Sequence, residues 1–181
     1  MSRLGMKFAR AALALTVAWQ AVSAWAGTDR AGAVPSGQWI WESVGTGPVE
    51  NSLTQTFDIT VHNNVPYLFY NYASSGGRGI VKAWDGTSWA RVGDDFVSAG
   101  TMRSASIDIG EDGQIYVAYS DGRTGNPYKA VVRKLSNGSW VELDGSGPIS
   151  SAPGSNYAGV VAGLGGKPFT YYQEVGSTQT F

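Results

Sequence analysis

The sequence predicts an all-β protein built from repeated four-stranded antiparallel sheets. Three observations carry that expectation. A unit of about fifty residues recurs, opened by Trp89 in WARVG and again by Trp140 in WVELD. Each copy alternates short runs rich in Val, Ile, Tyr and Phe with pairs of turn-forming residues. No stretch beyond Gly27 carries a helical period. Composition agrees: 25 Gly, 7 Trp and 9 Tyr among 181 residues suit tight turns and aromatic pleated faces. With no Cys, sheet packing must hold the fold without disulfides, and no thiolate is available for metal binding or catalysis.

Residues 1–26 read as a secretory signal peptide. Arg3, Lys7 and Arg10 make a positive start, residues 11–22 are mostly apolar, and Ala24 and Ala26 place small residues before a cut at Gly27. The apolar stretch falls short of the roughly 20 residues that a spanning helix needs. No adjacent arginine pair marks a twin-arginine route, and no cysteine offers a lipid attachment point. The expectation is a secreted or periplasmic bacterial protein, exported by a Sec-type route, with no membrane insertion once the signal is removed. Residues 27–38 read as a linker. Residues 39–181 form the repeat segment, with units at about 39–89, 89–140 and 140–181.

Each unit reads as four strands. First strands are expected at 55–61, 104–109 and 157–162, and second strands at 65–72, 114–120 and 167–173. Third strands are expected at 79–84 and 129–135, and fourth strands at 88–92 and 139–143. Asn63-Asn64, Asp112-Gly113 and Gly165-Gly166 separate first from second strands. Asp85-Gly86 and Asn137-Gly138 separate third from fourth. Such pairs tolerate the positive φ that two-residue hairpins need. Tyr67, Tyr116 and Phe169 occupy matching places, with Tyr70, Tyr119 and Tyr172 three residues later, so each pair straddles its sheet. Core packing is the expected role of one member, and the other is free to look toward a loop or the axis. Trp84, Trp89 and Trp140 repeat at the third-to-fourth hairpin, which points to one structural gap filled per unit.

Four antiparallel strands at this period describe a propeller blade. The WxxVG, YVAYxD and KxxDGxSW wording resembles the blades of many exported bacterial β-propellers, themselves loosely akin to kelch and sialidase-type repeats. The resemblance covers about residues 39–173 and identifies a blade style, not a single function. It implies a binding platform in most cases and an enzyme in some. The blade count does not close: residues 39–44 read as a lone fourth strand, followed by two full units and two strands of a third. Three outcomes fit that count. The chain is an incomplete or truncated propeller, part of a longer protein, as the ending at TQTF favours. Alternatively two chains assemble into six blades as a homo-oligomer, or the units stack as an open array.

The net charge is −1, and the chain becomes more acidic once the three signal cations are removed. With no basic stripe, nucleic acid and anionic membranes are not expected partners. His62 sits in a turn without the partners that acid–base or metal chemistry would need. Asp94-Asp95 and Glu111-Asp112 lack calcium-loop spacing, so neither a metal nor any other cofactor is expected. The Asn137-Gly138-Ser139 sequon falls in a tight hairpin. Sialidase-type chemistry would need an arginine cluster and a marked pair of carboxyl groups. Arg78, Arg103 and Arg123 are present, but no catalytic constellation is marked.

Loops on a rigid scaffold are where binding sits. The second-to-third connections vary most, at 73–78 and 120–128. Asp121, Arg123 and Asn126, with Tyr72 at the matching place in the preceding unit, are the ligand-binding candidates. The function expected is a non-catalytic binding module that recognises a carbohydrate or protein. The alternatives are part of a propeller-type glycoside hydrolase, sialidase-like, or a structural spacer.

Overall fold

A computed structural model describes residues 42–174, apart from 52–53, 94, 124–127, 144, 146 and 152–153. The expected signal peptide and linker, residues 39–41 of the lone fourth strand, Asp94, Asn126 and the last residues of the third unit lie outside the described residues; residues 42–44, the rest of that expected strand, pair with no neighbouring strand among those described, which corrects the expectation.

Among the described residues, ten strands form three sheets, each an antiparallel meander in chain order. The first sheet holds β1 (Phe57–His62), β2 (Val65–Tyr72), β3 (Arg78–Trp84) and β4 (Trp89–Val92). The second holds β5 (Met102–Ile109), β6 (Ile115–Asp121), β7 (Lys129–Ser136) and β8 (Ser139–Glu142). The third holds β9 (Ala158–Ala162) and β10 (Pro168–Tyr172). Helical structure among the described residues is confined to two short 3₁₀ turns, Ala73–Ser75 and Leu164–Gly166. No closed propeller is formed by the described residues.

Two of the five turn pairs make the expected two-residue hairpins. Asn63 and Asn64 have φ of 50° and 63°, and Asn137 and Gly138 have φ of 51° and 84°. The other three pairs lie in longer connections, which corrects the two-residue expectation. Asp85 shows why a longer turn is stable. Its carboxylate accepts the backbone N–H groups of Ser88 (2.7 Å) and Thr87 (2.8 Å) and both of their hydroxyls. Those bonds, the backbone ones foremost, hold its carboxyl far below the usual carboxylate range.

Alternation along the strands divides each sheet into a face toward the preceding segment and a face toward the following one. Phe69, Val81, Met102, Ile107, Val117, Tyr119, Val131 and Trp140 form the core between the first and second sheets. Tyr116, Ala118, Ala130, Val132, Ala158 and Val160 form the core between the second and third. The tyrosine pairs therefore straddle their sheets as expected. In the first two units, however, both members pack between layers, and neither is left for a loop or the axis.

First strands are stitched to one another by side chains. The Asp58 carboxylate accepts the Ile107 N–H (2.9 Å). One sheet on, the Ser104 and Ser106 hydroxyls accept the N–H groups of Ala158 (3.3 Å) and Val160 (3.2 Å), and Asp108 accepts that of Ala162 (2.9 Å).

Residues 42–50 cover part of the backward face of the first sheet much as the chain after Trp89 covers the second. Lys82 Nζ donates to the Val49 carbonyl (2.9 Å), and Arg133 Nη1, at the matching place, donates to that of Val97 (2.8 Å). The Tyr70 hydroxyl reaches Glu50 (3.4 Å), where that of Tyr119 reaches the Val97 carbonyl (3.1 Å). Gly45 (φ 91°) lies under the Trp84 ring, and Gly93 (φ 84°) lies under that of Trp140. The indole N–H of Trp140 donates to the Val92 carbonyl (3.3 Å), whereas that of the matching Trp89 is buried without an acceptor among the described residues.

Gly93 and Gly138 share φ of +84°, but a Cβ would meet the Trp140 indole nitrogen at 2.5 Å at Gly93 and nothing within 4 Å at Gly138. Gly138→Ala is expected to cost about 1 kcal/mol for left-handed backbone alone. Gly93→Ala is expected to cost about 1–3 kcal/mol more, because the indole must move. Urea denaturation of the two variants checks the difference.

Candidate functional site

All three units begin their first strands at one end of the molecule, and a cleft of about 390 Å³ lies there. It is lined by Gln55 and Thr56 ahead of β1, by Met102, Arg103 and Ser104 at the start of β5, and by Asn156 and Tyr157 ahead of β9. Local backbone chemistry shapes this opening. The β5–β6 pairing shifts register between Arg103 and Ser106, and Ser104 takes φ of 50°. Such bulges re-aim side chains beside functional sites, and a positive φ at a residue other than glycine is a local strain. Here the Ser104 hydroxyl is turned toward β9, where it accepts the Ala158 N–H. The first wall is fixed by the buried Asn71, whose side-chain carbonyl accepts the N–H groups of Gln55 (2.9 Å) and Thr56 (3.1 Å).

The chemistry of the lining is polar with aromatic surface. Tyr157 is 64% exposed. The Arg103 guanidinium lies 4.1 Å from the centroid of the Tyr128 ring, a cation–π contact that orients it. Gln55 and Asn156 add amides, and Thr56 adds a hydroxyl. None of the seven lining residues is a carboxylate.

The four candidates from the sequence do not converge on one surface. Asp121 ends β6 with its side chain wholly buried (0%). Its oxygens accept the Gly100 N–H (3.2 Å) and Arg123 Nε (2.9 Å). Arg123 also donates to Glu142 (2.9 Å), which accepts a longer contact from Arg133 (3.4 Å). Asp121 and Arg123 are thus brought together, in an ion-pair network joining β6, β7, β8 and the chain after β4. Burial alone would raise the Glu142 carboxyl, but the hydrogen bond and charge of Arg123, then those of Arg133, outweigh it and hold the group below its ordinary range. Tyr72 occupies the register place of Asp121 one unit earlier, on the backward face of the first sheet, half-buried against Tyr70 and Ile80. Asn126 lies outside the described residues.

The expected second-to-third connections do lie at the same end of the sheets as the cleft, and Tyr128 from the second of them touches Arg103. Sequence reasoning missed Gln55, Thr56, Ser104, Asn156 and Tyr157. The available signal was positional: polar residues stand just before or at the opening of every first strand. The repeated tryptophans offer no open platform, since Trp140 is buried between sheets and Trp89 packs on Trp84 with ring centroids 5.8 Å apart. Among the described residues, no cluster of three or more His, Cys, Asp or Glu could hold a metal ion, and no helix is long and apolar enough to cross a membrane.

No family model matches this chain, and neither does any curated protein or solved structure.

Removing Arg123 leaves the buried Asp121 carboxylate without its cation. Arg123→Met is expected to destabilise the fold by about 2–4 kcal/mol, with part recovered by adding Asp121→Asn, as read by urea denaturation. Because folding lowers the Glu142 pKa, its contribution is full above the unfolded carboxylate range, about pH 4. It fades as pH falls through the folded value. The stability gap between the wild type and Glu142→Gln should therefore close in acid.

Proposed function

We propose that the chain is a non-catalytic binding module of a secreted or periplasmic β-propeller protein, and that it holds a glycan in the cleft where its first strands begin. The observation that carries this reading is the lining itself. An exposed phenol ring, a guanidinium held on a second ring, two amides and a hydroxyl converge from three consecutive units. Sugars present apolar ring faces to aromatics and hydroxyl groups to amides and guanidinium, and such a set of rigid aromatic and directional polar groups suits that recognition. The sheets beneath supply a fixed scaffold, so little ordering accompanies binding. The signal-like N-terminus supports export, and the blade-style repeat supports the propeller assignment. The glycoside-hydrolase alternative draws no support from this cleft, whose lining offers no carboxyl pair.

A glycan array followed by calorimetry on the best hit tests the reading. Tyr157→Ala and Arg103→Ala should each weaken binding about tenfold or more, the size of one lost stacking or charged contact, while thermal stability stays near that of the wild type. Binding that is indifferent to both substitutions would remove the cleft as the site. Absence of any glycan ligand, with a protein captured instead, would replace the ligand class.

A further inference from the structure

Each of the three units places one equivalent residue in the cleft. Asn71, Ser120 and Gln173 follow Tyr70, Tyr119 and Tyr172 at or just past the ends of the second strands. Across from them, the Asn71 N–H donates to the Thr56 carbonyl (3.2 Å), Ser120 pairs with Arg103, and the Gln173 N–H donates to the Tyr157 carbonyl (3.0 Å). Thr56, Arg103 and Tyr157 thus hold one register place three times over, and all three line the cleft. A core place of the repeat keeps its chemistry, as the buried rings of Tyr70 and Tyr119 show. The cleft place carries a hydroxyl, a guanidinium and a phenol instead. There the fold uses the backbone and leaves the side chain to the opening.

Arg103 stands apart from the other described cations at this end of the sheets. Arg78 Nε donates to the Ser75 carbonyl (3.3 Å), Arg123 is paired with Asp121 and Glu142, and Lys129 Nζ donates to the Ser151 carbonyl (3.0 Å). Arg103 is exposed and makes no ion pair or side-chain hydrogen bond with another described residue. The Tyr128 ring, 4.1 Å from its guanidinium, fixes its position without neutralising it. Among the seven lining residues its charge is the only one. A neutral sugar that covers this guanidinium strips water from it and returns hydroxyl contacts alone. A carboxylate or sulfate returns opposite charge and two parallel hydrogen bonds to the planar fork.

We infer that the cleft selects sugars bearing an anionic group, a ring carboxylate or a sulfate ester, and that Arg103 decides the preference; this rests on the glycan reading above. Arg103 takes the oxygens of the anionic group, and the exposed Tyr157 ring offers its face to the sugar. Gln55 and Asn156 are left for the hydroxyls, so they contribute to either kind of sugar. The charge preference is thus carried by one side chain and the affinity for the ring by another.

Calorimetry of the full chain with matched pairs of oligosaccharides tests this. One pair is trigalacturonate and its carboxyl-reduced form, and the other is a sulfated galactan oligosaccharide and its desulfated form. In at least one pair the acidic member should bind about tenfold or more tightly than its neutral counterpart, and the ratio should shrink as salt is raised. Which pair shows the ratio tells carboxylate from sulfate. Arg103→Gln should bring the ratio to about one, and Arg103→Lys, which keeps the charge without the fork, should retain part of it. Each ratio is taken within one variant, so a loss of folded protein does not mimic the effect. Tyr157→Ala should weaken both members of a pair alike, since stacking reads the ring and not its charge. Equal binding of acidic and neutral members in both pairs would overturn the inference and leave the glycan reading in place, as would a preference that survives Arg103→Gln. Binding of no glycan at all, charged or neutral, would overturn both.

Discussion

A strand bonded along one side only leaves every second backbone N–H without a partner, and that constraint organises this molecule. β1, β5 and β9 each pair with a single neighbour in their own sheet. The free edges of β5 and β9 are met by side chains from the first strand of the sheet before: Asp58 for β5, and Ser104, Ser106 and Asp108 for β9. A buried donor left unsatisfied costs about 1–3 kcal/mol, and a hydrogen bond to a charged group contributes about as much. These crossings therefore do two things at once. They remove an edge that would otherwise recruit foreign strands, and they set the height at which one sheet stacks on the next. Interleaved Phe, Tyr, Val and Ile fill the space that the crossings define.

Most of the scaffold was legible in the residues. Apart from the lone strand expected at 39–44, the strand ranges expected from alternation and turn pairs agree with the observed ones to within a residue or two, because hydrophobic period and turn chemistry point the same way in these copies. The straddling tyrosines were legible for the same reason, since an offset of three must place side chains on opposite faces. The lengths of the turns were not. Asp85-Gly86 looks like a two-residue hairpin in sequence, yet the carboxylate of Asp85 finds more donors when Thr87 and Ser88 also join the turn. The stitches were also hidden. A serine or aspartate alternating with isoleucine on a strand looks the same whether it faces water or the next backbone.

The cleft was less legible than the fold, and for a physical reason. It is assembled from residues that precede strands in three separate units, so no contiguous motif marks it. What sequence could supply was the end of the sheets at which to look. Polar groups in the variable connections were weighed as ligand contacts, but Asp121 and Arg123 satisfy each other and Glu142. Charge placed at the margin of a β-sheet has two uses, and only the surrounding geometry separates a group that is open to a partner from one already saturated by its neighbours.

The stacking order also sets a gradient of local persistence. Among the described residues each sheet packs chiefly on the sheets beside it, so the free energy is close to a sum of unit and neighbour contributions. The second sheet is clamped on both faces, and its β6 is buried along its whole length. Among the described residues the third is a two-stranded ribbon, with Val161, Phe169 and Tyr171 exposed. Amide protons of β6 should thus report global unfolding, whereas those of β10 escape through opening of the ribbon alone. Among the described residues, opening therefore begins at the third sheet, and contacts made to that sheet lengthen the lifetime of the stack it belongs to.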